Sequence, residues 1–359
     1  MVQALLPGLL AFASTLLVGL ALIATQSWHG HFSMDSTFGV QKMHSHPTPR
    51  IGGVAIAVGL VCGWFASTGE TYQIMGYTLL AGIPALLFGL AEDVTKKVGV
   101  TARLLATMSS GVLAWYLTGV SMQNTGVPWV DLALQTAPLA VLFTAFAVGG
   151  VANSINIIDG FNGLAVGASA IMLGAMGAMA YSQSDLALCY ACLLTAGCAL
   201  GFAAVNWPMG RIFLGDGGAY LLGFVLAWFA VLLPMRNPNV NAWGTLLVCA
   251  YPVIEVGFSV LRRRRREGHH PGQPDRVHLH HLLHSRVVCK VVPNTSKTLQ
   301  NALTSPFCWF FVAAPAAWGV VFSQNTWALV LGLILAVTCY ALVYARLTTF
   351  SWRFLLGKR

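Results

Sequence analysis

Acidic residues are scarce in this chain. Only 11 Asp and Glu stand among 359 residues, so each one placed beside amides, glycines or imidazoles carries information. In NSINIIDGFNGLAVG, Asn153, Asn156 and Asp159 recur every three residues and so share one helical face. Three polar groups on one stripe at a membrane boundary are costly unless they are paired or bound to a ligand; the plainer reading is a polar helix–helix contact. In NWPMGRIFLGDGGAY, Asp216 lies among glycines that leave room for a metal ion and phosphate oxygens, with Asn206, Arg211 and Phe213 just upstream. Glu92 and Asp93 adjoin in LFGLAEDVTKKVG, where they form either a reactive pair or a helix-end cluster balanced by Lys96 and Lys97.

Imidazoles supply the remaining chemistry. In PDRVHLHHLLHSR, His278, His280 and His281 follow Asp275 and Arg276. An HxHH run without a Cys pair or a carboxylate at metal-ligand spacing is a weak zinc signal, and imidazoles beside an arginine serve equally as donors to a pyrophosphate. His269 and His270 read as loop residues. HSHPTPRIGG is a basic approach to an apolar run, where Arg50 either holds a phosphate or marks the interface. Neither a Walker A sequence nor GxGxxG occurs, so P-loop and Rossmann sites are excluded. Cys189 and Cys192 form a CxxC inside an uninterrupted apolar helix and read as packing.

The elements that hold these groups must lie in a membrane. Hydrophobic residues make up 57% of the chain and charged ones 9%, against ~25% charged in ordinary soluble domains. Disordered, fibrous and disulfide-framework classes are excluded, and the net charge of +9 suits cytoplasmic loops better than nucleic acid. The fold class is therefore an all-α integral membrane protein, with about eleven spans near 3–25, 52–67, 73–91, 103–121, 136–152, 164–181, 187–205, 218–234, 241–260, 307–322 and 326–345. With the N-terminus outside, 19 of the 20 Lys and Arg fall inside, leaving only Arg236 outside, and the C-terminus is cytoplasmic. The first span reads as an anchor, and the tail FSWRFLLGKR as lying along the inner interface. Residues 1–359 form one polytopic domain. Its inner loops 26–51, 92–102, 153–163, 206–217 and 261–306 would build the site. Asp35 and Glu267 read as solvated loop charges, as do Glu70, Asp131 and Asp185 outside. Glu255 alone lies within a span.

Taken together, HPTPRIGG, the acidic pair, NSINIIDGFNGL, FLGDGG and PDRVHLHHLL, in that order, resemble the polyprenyl-phosphate N-acetylhexosamine-1-phosphate transferases. The HxHH form followed by two leucines is similar to the branch that initiates O-antigen. The resemblance implies an acidic pair at Glu92 and Asp93, an NxxNxxDG motif at Asn153, Asn156, Asp159 and Gly160, a Mg²⁺ aspartate at Asp216, a uracil-stacking aromatic at Phe213 and a histidine loop at His278, His280 and His281. Glu92 departs from the usual Asp, and Asn162 stands where many members carry a second Asp.

The implied activity is transfer of N-acetylhexosamine 1-phosphate from a UDP-sugar, UDP-GlcNAc foremost, to undecaprenyl phosphate in the bacterial inner membrane, with release of UMP. Asp93 and Glu92, with Asp159, would be catalytic, Asp93 taking the proton of the lipid phosphate. Asp216 and Asp159 would hold Mg²⁺, or Mn²⁺ in its place. Substrate contacts would come from Arg50, Lys96, Asn153, Asn156, Asn162, Asn206, Phe213, Arg276 and the three histidines. The partners are the two substrates and the bilayer, without nucleic acid, and a homodimer is left open. The alternatives are a phospho-MurNAc-pentapeptide transferase and, in another class, a transporter of lipid-linked sugars, which would hold its charges at mid-membrane.

Overall fold

A computed structural model describes residues 2–35, 47–265 and 277–349. Long apolar runs become helices because lipid offers the backbone no hydrogen-bond partner, so each segment must satisfy its own amides and carbonyls. In chain order these are α1 (Val2–Ala24), α2 (Gln26–Ser33), α3 (Gly52–Ala66), α4 (Gly69–Ala81), α5 (Ile83–Thr95), α6 (Val100–Thr118), α7 (Pro128–Ala133), α8 (Ala137–Ile158) and α9 (Leu164–Ser182). They continue with α10 (Leu186–Asn206), α11 (Gly215–Arg236), α12 (Ala242–Val248), α13 (Ala250–Arg265), α14 (Leu279–Leu283), α15 (Cys289–Val291), α16 (Lys297–Val321) and α17 (Thr326–Thr349). A two-residue antiparallel pair, β1 (Met34–Asp35) with β2 (Thr48–Pro49), is the one addition to the helical expectation among the described residues.

Among the described residues seven helices are long and apolar enough to cross a membrane, and up to nine spans result if each bent pair counts as one. Two expected single spans are such pairs: α4–α5 bends by 46° and α12–α13 by 76°. Pro84 in the first turn of α5 and Pro252 in that of α13 supply the cause, since proline lacks the N–H and crowds the preceding carbonyl. The segments expected at 52–67 and 103–121 hold α3, only 15 residues long, and α6, which is diluted by Arg103 and five Ser or Thr. The supposed loop 261–306 is partly helical, because α16 begins at Lys297, where Ser296 caps Leu299 N–H.

The core is α11. Its most apolar stretch is 89% buried, against 17% for α17, where Leu331, Leu335 and Leu342 face outward. It packs against α3, α5, α6, α8 and α9. Between α1 and α10 the association rests on small residues: Gly197 and Gly201 lie directly against the backbone of Gly8 and Phe12, where a Cβ would collide. Alternation of the helices brings the ends of α5, α8, α10 and α13 to the same side as the starts of α3, α6, α9 and α11. All eight cysteines are free, and Cys189 and Cys192 are buried packing residues.

Candidate active site

The N-terminus of α11 is the organising point. Gly215 adopts φ 72°, a left-handed turn that favours glycine, and a Cβ there would strike Arg50 O and the Asp93 carboxylate. The turn exposes the first amides of α11, and Asp93, fully buried at the end of α5, accepts from two of them. Its Oδ1 takes Asp216 N–H and its Oδ2 takes Gly217 N–H, each at 2.8 Å. A carboxylate from another helix thereby satisfies donors that a helix start always leaves open.

Arg50 bridges the two acids, donating from Nε to Asp93 Oδ1 and from Nη2 to Asp216 Oδ1, both at 3.0 Å. Its Nη1 lies 3.7 Å from Asp35, which is buried at 8% exposure and so is not the solvated charge expected of it. Backbone pairing fixes this geometry: Phe213 N–H donates to Pro49 O at 2.8 Å and Gly52 N–H to Phe213 O at 3.0 Å. Arg103 donates Nη1 to Asp216 Oδ2, while its Nε is buried without a partner. Asn156 donates to Asp216 Oδ1 at 3.1 Å and accepts from Tyr220 OH at 3.2 Å. Burial opposes the charge of Arg50, yet Asp93, Asp216, Asp35 and Glu92 outweigh it and raise the pKa above its ordinary value.

Asp159 caps α8, and no described residue donates to its carboxylate. Burial raises its pKa to about 7, Asp216 and Asp93 adding to the effect and Arg50 opposing it. The cluster thus brings together Asp35, Glu92, Asp93, Asp159 and Asp216 against Arg50 and Arg103, an anionic surplus.

Other expected residues take supporting positions. Glu92 accepts from Val98 N–H at 2.8 Å, closing the turn after α5, and Lys96 Nζ donates to Met34 O at 3.0 Å. Asn153 donates to Thr107 Oγ1 at 3.0 Å and so ties α8 to α6. Asn206 is buried with both amide ends consumed, accepting from Gly163 N–H at 2.6 Å and donating to Ile212 O at 2.8 Å. Asn162 donates to Pro208 O at 3.0 Å, while its own N–H donates to Asn301 at 2.8 Å. These two amides knit the site's loops together, where substrate contact was expected. Arg276, Lys42, His46, Glu267, His269, His270 and the tail lie outside the described residues.

His278, His280 and His281 are buried rather than open donors. Their anchor is Glu255, whose Oε1 accepts from His278 Nδ1 at 3.0 Å and from Leu279 N–H at 3.1 Å. The loop meets the DGFNG turn: the Phe161 ring lies 5.7 Å from that of His280, and His280 Nε2 faces Gly160. Burial, then His281 and His278, hold the His280 pKa well below its ordinary value, so the ring is neutral at pH 7.

Arg103, Tyr220, Asp35 and Glu255 were not expected in these roles. Tyr220 had a signal, standing one turn after Asp216 on the same face. Arg103 had counted only toward orientation.

Residues 75–234 match the family model of glycosyl transferase family 4. The chain is 27% identical over 248 residues to an undecaprenyl-phosphate alpha-N-acetylglucosaminyl 1-phosphate transferase of Yersinia pestis, covering 68% of this chain and 67% of that one. It is 28% identical over 246 residues to a probable undecaprenyl-phosphate N-acetylglucosaminyl 1-phosphate transferase of Bacillus subtilis, covering 68% and 67%. It is 30% identical over 292 residues to a decaprenyl-phosphate N-acetylglucosaminephosphotransferase of Mycobacterium tuberculosis, covering 69% and 70%.

Proposed function

The chain belongs to glycosyltransferase family 4, the polyprenyl-phosphate N-acetylhexosamine-1-phosphate transferases, and we propose that its donor is UDP-N-acetylglucosamine and its acceptor undecaprenyl phosphate. It is a multi-pass membrane enzyme that transfers N-acetylhexosamine 1-phosphate to a polyprenyl phosphate. On this reading eleven spans cross the bacterial inner membrane with the N-terminus periplasmic. The acid–arginine cluster then faces the cytoplasm, and the product initiates a cell-surface glycan such as O-antigen.

A lipid-phosphate oxygen attacks the β-phosphorus of the donor. The new P–O bond forms as the bond to the bridging oxygen breaks, and the electron pair leaves with UMP. Such transfers depend on positioning and charge neutralisation. Arg50 and Arg103 donate to phosphate oxygens, the buried Nε of Arg103 being a spare donor. Asp93 has both oxygens committed to α11 amides and Arg50. On this reading it holds the start of α11, and Asp216 with it, in place. No base is required at that point, because a phosphate monoester with second pKa near ~6 is largely ionised at neutral pH.

Mg²⁺ fits the donor set. Among the described residues no three His, Cys, Asp or Glu converge with metal-ligand spacing. A hard cation that keeps its waters needs only one or two carboxylates plus phosphate oxygens. Asp216 and Asp159 would hold it, relieving the surplus charge, and it would supply charge neutralisation of the pyrophosphate.

The observation that carries the reading is the convergence of Arg50, Asp93, Arg103, Asn156 and Asp216 from five separate segments at one end of the bundle. A transporter is disfavoured because Glu255, the acid expected within a span near its inner end, is already paired with the histidine loop. Membranes holding the protein should release UMP from UDP-N-acetylglucosamine in the presence of undecaprenyl phosphate and Mg²⁺. Asp216→Asn should fold yet lose at least about 10²-fold in rate, and Mg²⁺ should raise the thermal midpoint of the wild type but not of that variant. A variant with the normal rate refutes the assignment of Asp216.

A further inference from the structure

We infer that Tyr220 is a positioning residue for the transfer: its ring seats Arg103 and its hydroxyl orients Asn156, so that both donors stand aimed at Asp216 before any substrate binds. The inference rests on the transferase reading for what those donors act upon, though not for the contacts themselves.

Tyr220 lies one turn after Asp216 on α11 and is buried beside aliphatic neighbours, Ala219, Leu221 and Leu222. Packing alone asks only for an apolar side chain there, and a buried hydroxyl is costly unless it is bonded. Close helix contacts bring its partners to it. A Cβ on Gly223 would stand 2.9 Å from Ala152 Cα, so α11 lies directly against α8. One on Gly149 would stand 2.6 Å from Met108 Cγ, so α8 lies directly against α6. The three helices thereby set Asn156 and Arg103 beside one phenol.

The direction of each bond follows from the acid. Asp216 accepts from Arg50 and Arg103, so Asn156 must turn its NH₂ toward that carboxylate. The Asn156 carbonyl then points the other way, and Tyr220 OH must donate to it, at 3.2 Å. Without that hydroxyl the amide is free to turn and present oxygen to oxygen. The guanidinium carbon of Arg103 lies 6.0 Å from the Tyr220 ring centroid, within cation–π range. Among the described residues the one hydrogen bond of Arg103 goes to Asp216, so the ring is what keeps its remaining N–H groups in place. Tyr220 itself makes no bond to Asp216 among the described residues; it acts through the two side chains that do. Donors held in advance need no reorganisation during transfer.

Double-mutant cycles on UMP release test this. Tyr220→Phe should lower kcat about fivefold, the scale of one hydrogen bond, with KM for UDP-N-acetylglucosamine within about twofold. In the Asn156→Ala background the same change should cost less than about twofold. Tyr220→Leu should lose about tenfold more than Tyr220→Phe, as for a desolvated cation–π contact. That excess should vanish in the Arg103→Ala background. A loss that persists at full size in its background makes Tyr220 a packing residue and overturns the inference. Tyr220→Phe keeps the volume of the side chain, so its cycle decides even where Tyr220→Leu does not fold.

A second arm needs no activity. The Raman Fermi doublet of a tyrosine distinguishes a donating hydroxyl from one that accepts or is free, and the difference between wild type and Tyr220→Phe isolates this residue. The doublet should report a donor in the wild type and lose that signature in Asn156→Ala. A phenol that does not donate, or a doublet indifferent to Asn156→Ala, overturns the inference. Failure of the transferase reading appears separately, as wild-type protein with the donor signature that releases no UMP.

Discussion

At its first turn α11 presents Asp216 to two arginines, and at its last turn it presents Arg236 to two acids, about 30 Å away along one helix of 22 residues. The distal network is closed. Arg236 grips Asp185 with Nε and Nη2 at 2.8 and 2.9 Å, Asn237 adds a bond at 3.1 Å, and Glu70 takes the remaining arm while 55% of its side chain stays exposed. The near network is left open. Among the described residues its acids outnumber its arginines, Asp159 receives no donor, and a guanidinium nitrogen of Arg103 is buried without a partner. Both ends obey the same electrostatics. What distinguishes them is unspent capacity: carboxylates in excess of arginines and a guanidinium N–H that meets no acceptor. Function belongs to the end that folding leaves unbalanced.

Exchanging arginines tests the comparison most severely. Arg103→Ala should lower the rate of UMP release by about 10²–10³-fold, the scale of losing a preorganised charge donor, with little change in thermal midpoint. Arg236→Ala should do the reverse. Transfer stays within about twofold, while stability falls by on the order of 2 kcal/mol, because a largely buried Asp185 loses its bidentate partner. Thermal unfolding in detergent beside a UMP-release assay checks both. An Arg236→Ala enzyme as impaired as Arg103→Ala would break the division between the two ends.

Much of this was legible in the residues. The apolar runs located every long helix, and the spacing of Asn153, Asn156 and Asp159 put them on the face of α8 that meets Asp216 and α6. Two kinds of information were hidden. One is partnership across distant segments: Asp35, Arg103 and Glu255 each look unremarkable until folding sets Asp35 and Arg103 by the α11 start and Glu255 beneath the histidines. The other is prior commitment. Asn206 and Asn162 are amides of the right type in the right motif, yet Asn206 has both ends of its amide, and Asn162 its amide nitrogen, engaged by the loops they tie. Residue type declares what a side chain can bond. Only the fold shows what it has already bonded.

The smallest expected effect concerns pH, and it differs in sign between the two ends. Asp185 is held below its ordinary pKa: burial opposes ionisation, but the hydrogen bonds from Arg236, Leu188 N–H and Asn237 outweigh it. Its contribution to stability is present above the unfolded value near ~4 and is lost as pH falls through the lower folded value. Asp159, raised to about 7, behaves oppositely. Between roughly pH 4 and 7 its folded form keeps a proton that the unfolded chain has released, so stability declines as pH rises across that window and levels off above it. Without divalent cation, thermal midpoints from pH 4 to 8 should therefore fall less steeply in Asp159→Asn than in the wild type. Asp185→Asn should flatten only the acid limb below about pH 4. If Asp159→Asn leaves the slope between pH 4 and 7 unchanged, the surplus charge of the near end does not reside on Asp159, and the contrast must be redrawn around Asp216 alone.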